Sequence, residues 1–522
     1  MRRRSRLEEN LANSGRSSTR QYLFYGTIGL LSLALPAALA LFGHRFLPSN
    51  APADSGATPY SVIDPTRSQD DTQRQPHPGP GRAVPADLRA GAVPPQVVWR
   101  GIASGIASRP ESVHDIHVVF STDCSPYQNY QSILLFQSAE MVGQRGPITR
   151  VASGCTTEEE TVLQELMDKQ PERFRVHFTP DFSLDPVTGE QFLFYNKPNG
   201  IAHFLKNADP PLSEAVLALV DPDMIFMSPL TPRVDDPNKM LWHEQEQQTG
   251  PAWVVEGTPV GQFYGLGGTW TTWKDLPEIT RPLGNDSPAL KVTLVDARDN
   301  YTVGPPYLMH PRDWARVLDL WVALSPKVYK GHAGILAEMY AFCIAAAHLG
   351  LRHRVAYGLM VSDTKMVTHE GWSMVDGLGT DSCNATVVDG HRGSLPPIVH
   401  YCQMYRVGTF MWGKRHKSHH NFFSCDSDSL ELPPPGYLKS PMGTIRVHPV
   451  PRAVPGEPPS NMESVSLETG VRQTYALCAV LRAMNEALAA YKGRYCRPGE
   501  VSGGSRRFTD LSKKQVEADP YS

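Results

Sequence analysis

The sequence predicts an α/β domain across residues 113–430, built on a sheet with helices on both faces. Three observations carry that expectation. Short β-branched runs alternate with stretches of helical spacing. Helix-start chemistry, a Thr cap and early glutamates, follows the second strand candidate. The run Ala215–Val220 (AVLALV) is apolar at every position, as in a strand covered on both sides.

Along the chain, Ile116–Ser121 (IHVVFS) reads as a buried strand and Tyr130–Glu140 as a helix. Ile148–Ala152 reads as a second strand, and Thr157–Lys169 as a helix that opens on glutamates, which favour a helix N-terminus. Asn199–Lys206 is a further helix ahead of the Ala215–Val220 strand. Pro311–Leu324 and Ile335–Leu349 place apolar residues at helical spacing, and Pro397–Tyr401 is a short apolar strand. Beyond Pro433–Pro435 the chain becomes polar and proline-rich, and Ser466–Tyr491 reads as a helix that packs back on the domain. Residues 431–522 are therefore expected to form a C-terminal extension with a helix near 466–491.

The N-terminal part has a different character. Tyr22–Gly43 runs without a charged residue, long enough at 1.5 Å per helical residue to cross a hydrocarbon core. Arg2, Arg3, Arg4, Arg6, Arg16 and Arg20 precede it, so the positive-inside bias leaves the N-terminus cytosolic. A cleaved signal peptide shares these features but usually has an apolar core of only about 7 to 15 residues. The expected order is a cytosolic tail (1–21), a retained transmembrane anchor (22–43) and a Pro-rich stem (44–112), with the rest of the chain lumenal. The stem is too poor in large apolar residues to offset the entropy of ordering.

A formal charge of −3 gives no basic field that would gather nucleic acid, so no nucleic-acid partner is expected. All eight cysteines lie beyond the anchor, which suits an oxidising lumen, although spacing alone does not assign their pairing. Paired C-x-x-C knuckles of a zinc site are absent. Sequons at Asn285, Asn300 and Asn384 are compatible with lumenal exposure.

The most informative local pattern is Val220-Asp221-Pro222-Asp223-Met224, two carboxylates one residue apart directly after an apolar strand. Open α/β sheets bind ligands at the carboxyl ends of their strands, and alternate residues of extended chain point the same way. Hard divalent cations take carboxylate oxygens and substrate phosphates. Asp-Pro-Asp is equally good turn chemistry, and these residues alone leave both readings open. His400 ends the strand candidate Pro397–Tyr401 and offers an imidazole ligand. Lys414, in the Gly413-Lys414-Arg415 segment, offers a cation to balance a departing diphosphate. Trp270, Trp273, Tyr307 and Trp372 are candidates for sugar stacking, or for the core. Carboxylates this close in sequence suit a glycosidase poorly, because its two acids sit at least about 5 Å apart across the bond.

Taken together, the segments HVVFSTDCSPYQNYQS, NKP at Asn196–Pro198, LVDPDMIFMSPL, VGPPYLMHPRDW, LAEMYAFCIAAAHLGLRH and VHYCQMYRVGTFMWGKR occur in one order between His117 and Pro435. Through them the chain resembles the hydroxyproline O-arabinosyltransferases and the related peptidyl serine α-galactosyltransferases of plants and algae. The resemblance implies a GT-A, Rossmann-type mixed sheet, a UDP-sugar donor and transfer with retention. It also implies a divalent metal, manganese by preference, held by Asp221, Asp223 and His400. By position, Thr122, Asp123, Asn196, Lys197, Asp221 and Lys414 would lie along the donor, and Glu338, with Asp223, would serve the chemistry at the reacting sugar. The acceptor implied is a hydroxyproline- or serine-containing secretory polypeptide. The location implied is the Golgi or endoplasmic reticulum membrane, in single-pass type II orientation. The stem, the stretch Val234–Val292 and the C-terminal segment depart from the land-plant pattern and bear on the acceptor. A catalytically inactive lumenal glycan- or glycoprotein-binding protein on the same fold is the competing expectation.

Overall fold

The computed structural model describes residues 116–508, apart from 186–188, 190, 274–276, 333, 367, 380–381, 384–394, 409, 435–443 and 448–462. The expected anchor, stem and cytosolic tail lie outside the described residues, as does the sequon at Asn384. No helix among the described residues is long and apolar enough to cross a membrane.

The first half alternates strand and helix: β1 (Ile116–Thr122), α1 (Pro126–Met141), β2 (Ile148–Ser153), α2 (Thr157–Met167), β3 (Phe174–Thr179), α3 (Asn196–Asn207) and β4 (Val216–Val220). Local chemistry marks the helix starts. Ser125 caps α1 by accepting from the Gln128 amide, with Pro126 in the first turn, where its missing N–H costs nothing. Thr156 and Glu159 form a reciprocal capping box on α2. Every residue of β4 is buried, which is why its sequence shows no alternation.

Next come β5 (Met224–Phe226), β6 (Val260–Phe263), β7 (Val303–Met309), α4 (Pro311–Gly331), α5 (Ala337–His348), β8 (Arg354–Ala356), β9 (Met360–Val361) and β10 (Ile398–His400). The hairpin β11 (Met404–Val407) and β12 (Phe410–Gly413) follows, then β13 (Ser429–Leu430), β14 (Thr444–Val447), β15 (Glu463–Ser466), α6 (Leu467–Tyr495) and β16 (Ser505–Arg506).

Seven strands form the central sheet in the order β3-β2-β1-β4-β7-β6-β8. Parallel pairings dominate: β1 with β2 and β4, β2 with β3, and β6 with β8, while β7 runs antiparallel to both its neighbours. The chain is thus a mixed α/β fold on a parallel-dominated sheet. Alternate side chains of β1 reach opposite layers: Phe120 meets Phe136 of α1, and His117 meets Phe204 of α3. Gly200 lets α3 lie close to β2, since a Cβ there would sit 3.1 Å from Val151 Cγ1.

Strand β7 contains Pro305 and Pro306, residues that argue against a central strand because they cannot donate to a ladder. They are accommodated because the β6–β7 register shifts between Gly261 and Gln262, and the two prolines fall in that irregularity. Strand β6 itself comes from the stretch 234–292. A second, three-stranded sheet has the order β5-β10-β9. The C-terminal segment belongs to the same compact unit. Helix α6 packs on α1 and β11, β16 pairs with β13, and disulfides Cys383–Cys478 and Cys425–Cys496 tie α6 and its end to the preceding chain. A third disulfide joins Cys124 to Cys155.

Candidate active site

Strand order reverses between β1 and β4, and the carboxyl ends of these two parallel neighbours open on one edge of the sheet. Such a switch point leaves a crevice that loops from both strands can line, the general ligand position of open α/β sheets. Thr122 ends β1 and Asp123 follows it, while Asp221 follows β4 directly.

The second sheet completes the cluster. Strand β10 pairs with β5 so that His400 stands opposite Met224, and the Tyr401 amide then donates to the Asp223 carbonyl at 3.0 Å. That register sets the His400 imidazole beside the Asp223 carboxylate, with Nε2 3.2 Å from Oδ1. One ligand atom from each of Asp221, Asp223 and His400 lies within 4.8 Å of the others. Tyr264, just past β6, places its hydroxyl 3.4 Å from His400 Nδ1.

Two lysines reach this cluster, one at each aspartate. Lys414, immediately after β12, donates to Asp223 Oδ2, and its own carbonyl accepts from the Tyr130 hydroxyl. Lys197, in the first turn of α3, donates to Glu338 Oε1 at 2.8 Å and pairs with Asp221 Oδ1 at 2.9 Å. Glu338 opens α5 and is 2% exposed, its Oε2 buried with no hydrogen-bond partner among the described residues. The Trp321 indole N–H holds the Glu338 carbonyl at 2.6 Å.

The electrostatics follow from burial set against these partners. Burial opposes ionisation of Asp223, yet Lys414 and His400 override it and hold its carboxyl well below the usual range. Burial pushes the Glu338 carboxyl up, and the Lys197 ammonium offsets only part of that. His400 is driven well above the ordinary imidazole value: burial works against its charge, while Cys402 and Asp223 favour it more strongly. The cluster therefore gathers charged groups of both signs in a largely buried setting.

Two carboxylates and an imidazole are the donor set that a manganese-type ion accepts, and Asp221 Oδ1, paired with the Lys197 ammonium at 2.9 Å, keeps a second lone pair to offer. The residues present fit such an ion. A further cluster, His243, Glu244 and Asp299, lies outside this crevice's residues.

The structure thus brings together Asp221, Asp223, His400, Lys197, Lys414 and Glu338. Other candidates brace the site. Thr122 Oγ1 accepts from Arg150 Nε at 2.8 Å, and Asn196 Oδ1 accepts from the Phe182 amide at 2.7 Å. Asp123 Oδ1 accepts from both the amide and the hydroxyl of Ser125, fixing the start of α1. Trp270, Tyr307 and Trp372 are core residues, and Trp273 stacks on His332.

Sequence reasoning missed Arg150 and Tyr264. The signal for Arg150 was a guanidinium inside an otherwise strand-like ITRVAS. It is 1% exposed, and its Nη2 donates to the Asp123 carbonyl and to Asn129 Oδ1. Tyr264 carried no local signal, because its stretch lacks a distinctive period.

Comparison with known proteins gives two curated relatives, both named peptidyl serine alpha-galactosyltransferase. The Arabidopsis thaliana protein is 28% identical over 247 residues, covering 47% of this chain and 28% of that protein. The Chlamydomonas reinhardtii protein is 24% identical over 412 residues, covering 74% of this chain and 47% of that protein. These relatives support the family resemblance carried by the motifs. The chain spans less than half the length of either curated relative. No family model matches. Among solved structures, the galactosyltransferase LgtC with donor and acceptor sugar analogs overlaps 55% of this chain and 87% of its own, at 11% identity and a TM-score of 0.29. The apo WbbM bifunctional glycosyltransferase overlaps 55% and 46%, at 9% identity and a TM-score of 0.29.

Proposed function

We propose that this chain is a metal-dependent, retaining glycosyltransferase of GT-A type. In this reading it moves galactose or arabinofuranose from a UDP-sugar to serine or hydroxyproline hydroxyls of secretory polypeptides. A membrane anchor at 22–43 would hold it facing the lumen of the Golgi or endoplasmic reticulum. The observation that carries the reading is the convergence of Asp221, Asp223 and His400 at the strand-order switch point, flanked by Lys197 and Lys414. The names of the two curated relatives favour serine and galactose.

Bound at Asp221, Asp223 and His400, a divalent ion supplies charge to neutralise the donor's diphosphate. The chain's own residues do the rest. Lys414 offers a second cation to the phosphate oxygens as the glycosidic bond breaks, and its burial beside Asp223 weakens the solvent screening of that charge. Lys197 bridges Glu338 and Asp221, and so fixes the Glu338 carboxyl beside the cluster where the reacting sugar would lie. The acceptor hydroxyl approaches the face the diphosphate leaves, and a phosphate oxygen takes its proton.

The test is to incubate the full chain with UDP-galactose or UDP-arabinofuranose and with serine- or hydroxyproline-rich peptides, with and without manganese. Asp221→Ala with Asp223→Ala is expected to reduce transfer by at least about a hundredfold, the scale of losing charge stabilisation of a leaving group. Undiminished transfer by the double variant would reject the metal role. Glycan binding without donor turnover in the unaltered protein would favour the inactive-binder reading.

A further inference from the structure

The C-terminal helix α6 contributes no residue to the charged cluster, yet its contacts lead directly to it. The hairpin β11–β12 delivers Lys414 from its last residue, Gly413, which pairs with Met404. Helix α6 holds both strands of the hairpin. Gln473, 9% exposed, accepts from the Arg406 amide of β11 at 2.9 Å and donates from Nε2 to Thr364 Oγ1 at 2.8 Å. Trp412 of β12, fully buried, directs its indole N–H to Met484 Sδ of α6 at 3.0 Å.

The Gln473 bridge reaches both sides of the cluster. Thr364 lies just beyond Ser362, whose carbonyl shares the Tyr405 hydroxyl with the carbonyl of His400, at 2.9 and 3.0 Å. Tyr405 belongs to β11. One side chain of α6 therefore ties the strand that bonds the His400 backbone to the loop after β9, and the same hairpin presents Lys414. A buried amide is costly unless both its ends are used, and here both are. Disulfides Cys383–Cys478 and Cys425–Cys496 hold α6 covalently against this part of the chain.

We infer that α6 is a working part of the active site, with Gln473 a positioning residue that sets Lys414 for the donor diphosphate by holding the β11–β12 hairpin. This rests on the UDP-sugar reading of the site. Gln473 touches neither donor nor metal ligands, so its effect passes through Lys414.

The experiment is a double-mutant cycle on the full, disulfide-intact chain, with UDP affinity in manganese as the readout. Lys414→Met and Gln473→Leu are each expected to weaken UDP by about tenfold, the scale of one charge-assisted contact, with donor KM rising more than kcat falls. If Gln473 acts through Lys414, the double variant is no weaker than Lys414→Met alone. Thr364→Val, which removes only the far partner of the bridge, is the second variant should Gln473→Leu fail to fold, with about a threefold loss expected from one neutral hydrogen bond. UDP affinity unmoved by the bridge variants, or effects that multiply in the double variant, overturns the positioning role while leaving the donor reading intact. Absence of UDP binding by the unaltered protein sinks both.

Discussion

At the scale of single residues, the site is a balance of buried charges. Lys197 is shared between Glu338 and Asp221, and removing one member of a buried pair leaves the other uncompensated. Lys197→Met is expected to destabilise the fold by about 3–5 kcal/mol in urea denaturation, and Glu338→Gln in the same chain should recover part of that loss. Full stability in the single variant would mean that Glu338 is already neutral. Because Asp223 and Cys402 hold a proton on His400, an ion that takes the imidazole must displace that proton. Manganese affinity should therefore rise with pH until His400 is neutral without the ion, and calorimetry in buffers of different ionisation enthalpy should show proton release. A pH-independent affinity would exclude His400 as a ligand. The carboxylates were legible in the sequence as a candidate because Asp-Pro-Asp directly follows an apolar run, but a plain turn fitted those residues equally well until the motifs around them were read together. Arg150 and Tyr264 were not legible, since their roles depend on partners 21 to 28 and 136 positions away.

At the scale of elements, local chemistry predicted most helices and the strands β1, β2, β4 and β10. Their signals lie within a few residues: caps such as Thr156 with Glu159, and unbroken apolar runs such as Val216–Val220. Strands β6 and β7 escaped because their pairing is set by each other, through a register shift that gives Pro305 and Pro306 a place. The C-terminal helix was visible in the sequence, but its covalent attachment was not. Cys383–Cys478 closes 95 residues of chain, and replacing both cysteines with alanine is expected to cost about 4–5 kcal/mol on the chain-entropy estimate. Denaturation midpoints of the oxidised protein and of the double variant measure this directly. A difference below about 1 kcal/mol would show that packing alone holds α6.

At the scale of the whole molecule, burial decides the response to pH. His117, His353 and His419 are each lowered from the ordinary value of 6.5 to about 3, in every case first by burial, with Arg175 adding to the effect at His117 and His416 at His419. The folded state keeps these rings neutral while the unfolded chain protonates them. Their stability contribution is whole above pH 6.5 and is lost as pH falls from 6.5 toward 3, by up to about 1.4 kcal/mol per pH unit for each ring. His419, stacked between Trp412 and Phe508, is the one to test. Urea midpoints of His419→Phe, followed from pH 7.5 to 5, should fall less steeply than those of the unaltered protein, and equal slopes would refute the assignment. Taken alone, the sequence determined the α/β class, the order of the main helices, the acids at the end of β4 and the family resemblance. Each of these is written in neighbouring residues or in a string of motifs. Only the tertiary structure decided that β10 sets His400 beside Asp223, that Lys197 and Lys414 close on the two aspartates, and which cysteines pair. Those facts depend on the register of strands distant in sequence, and no local period encodes that register.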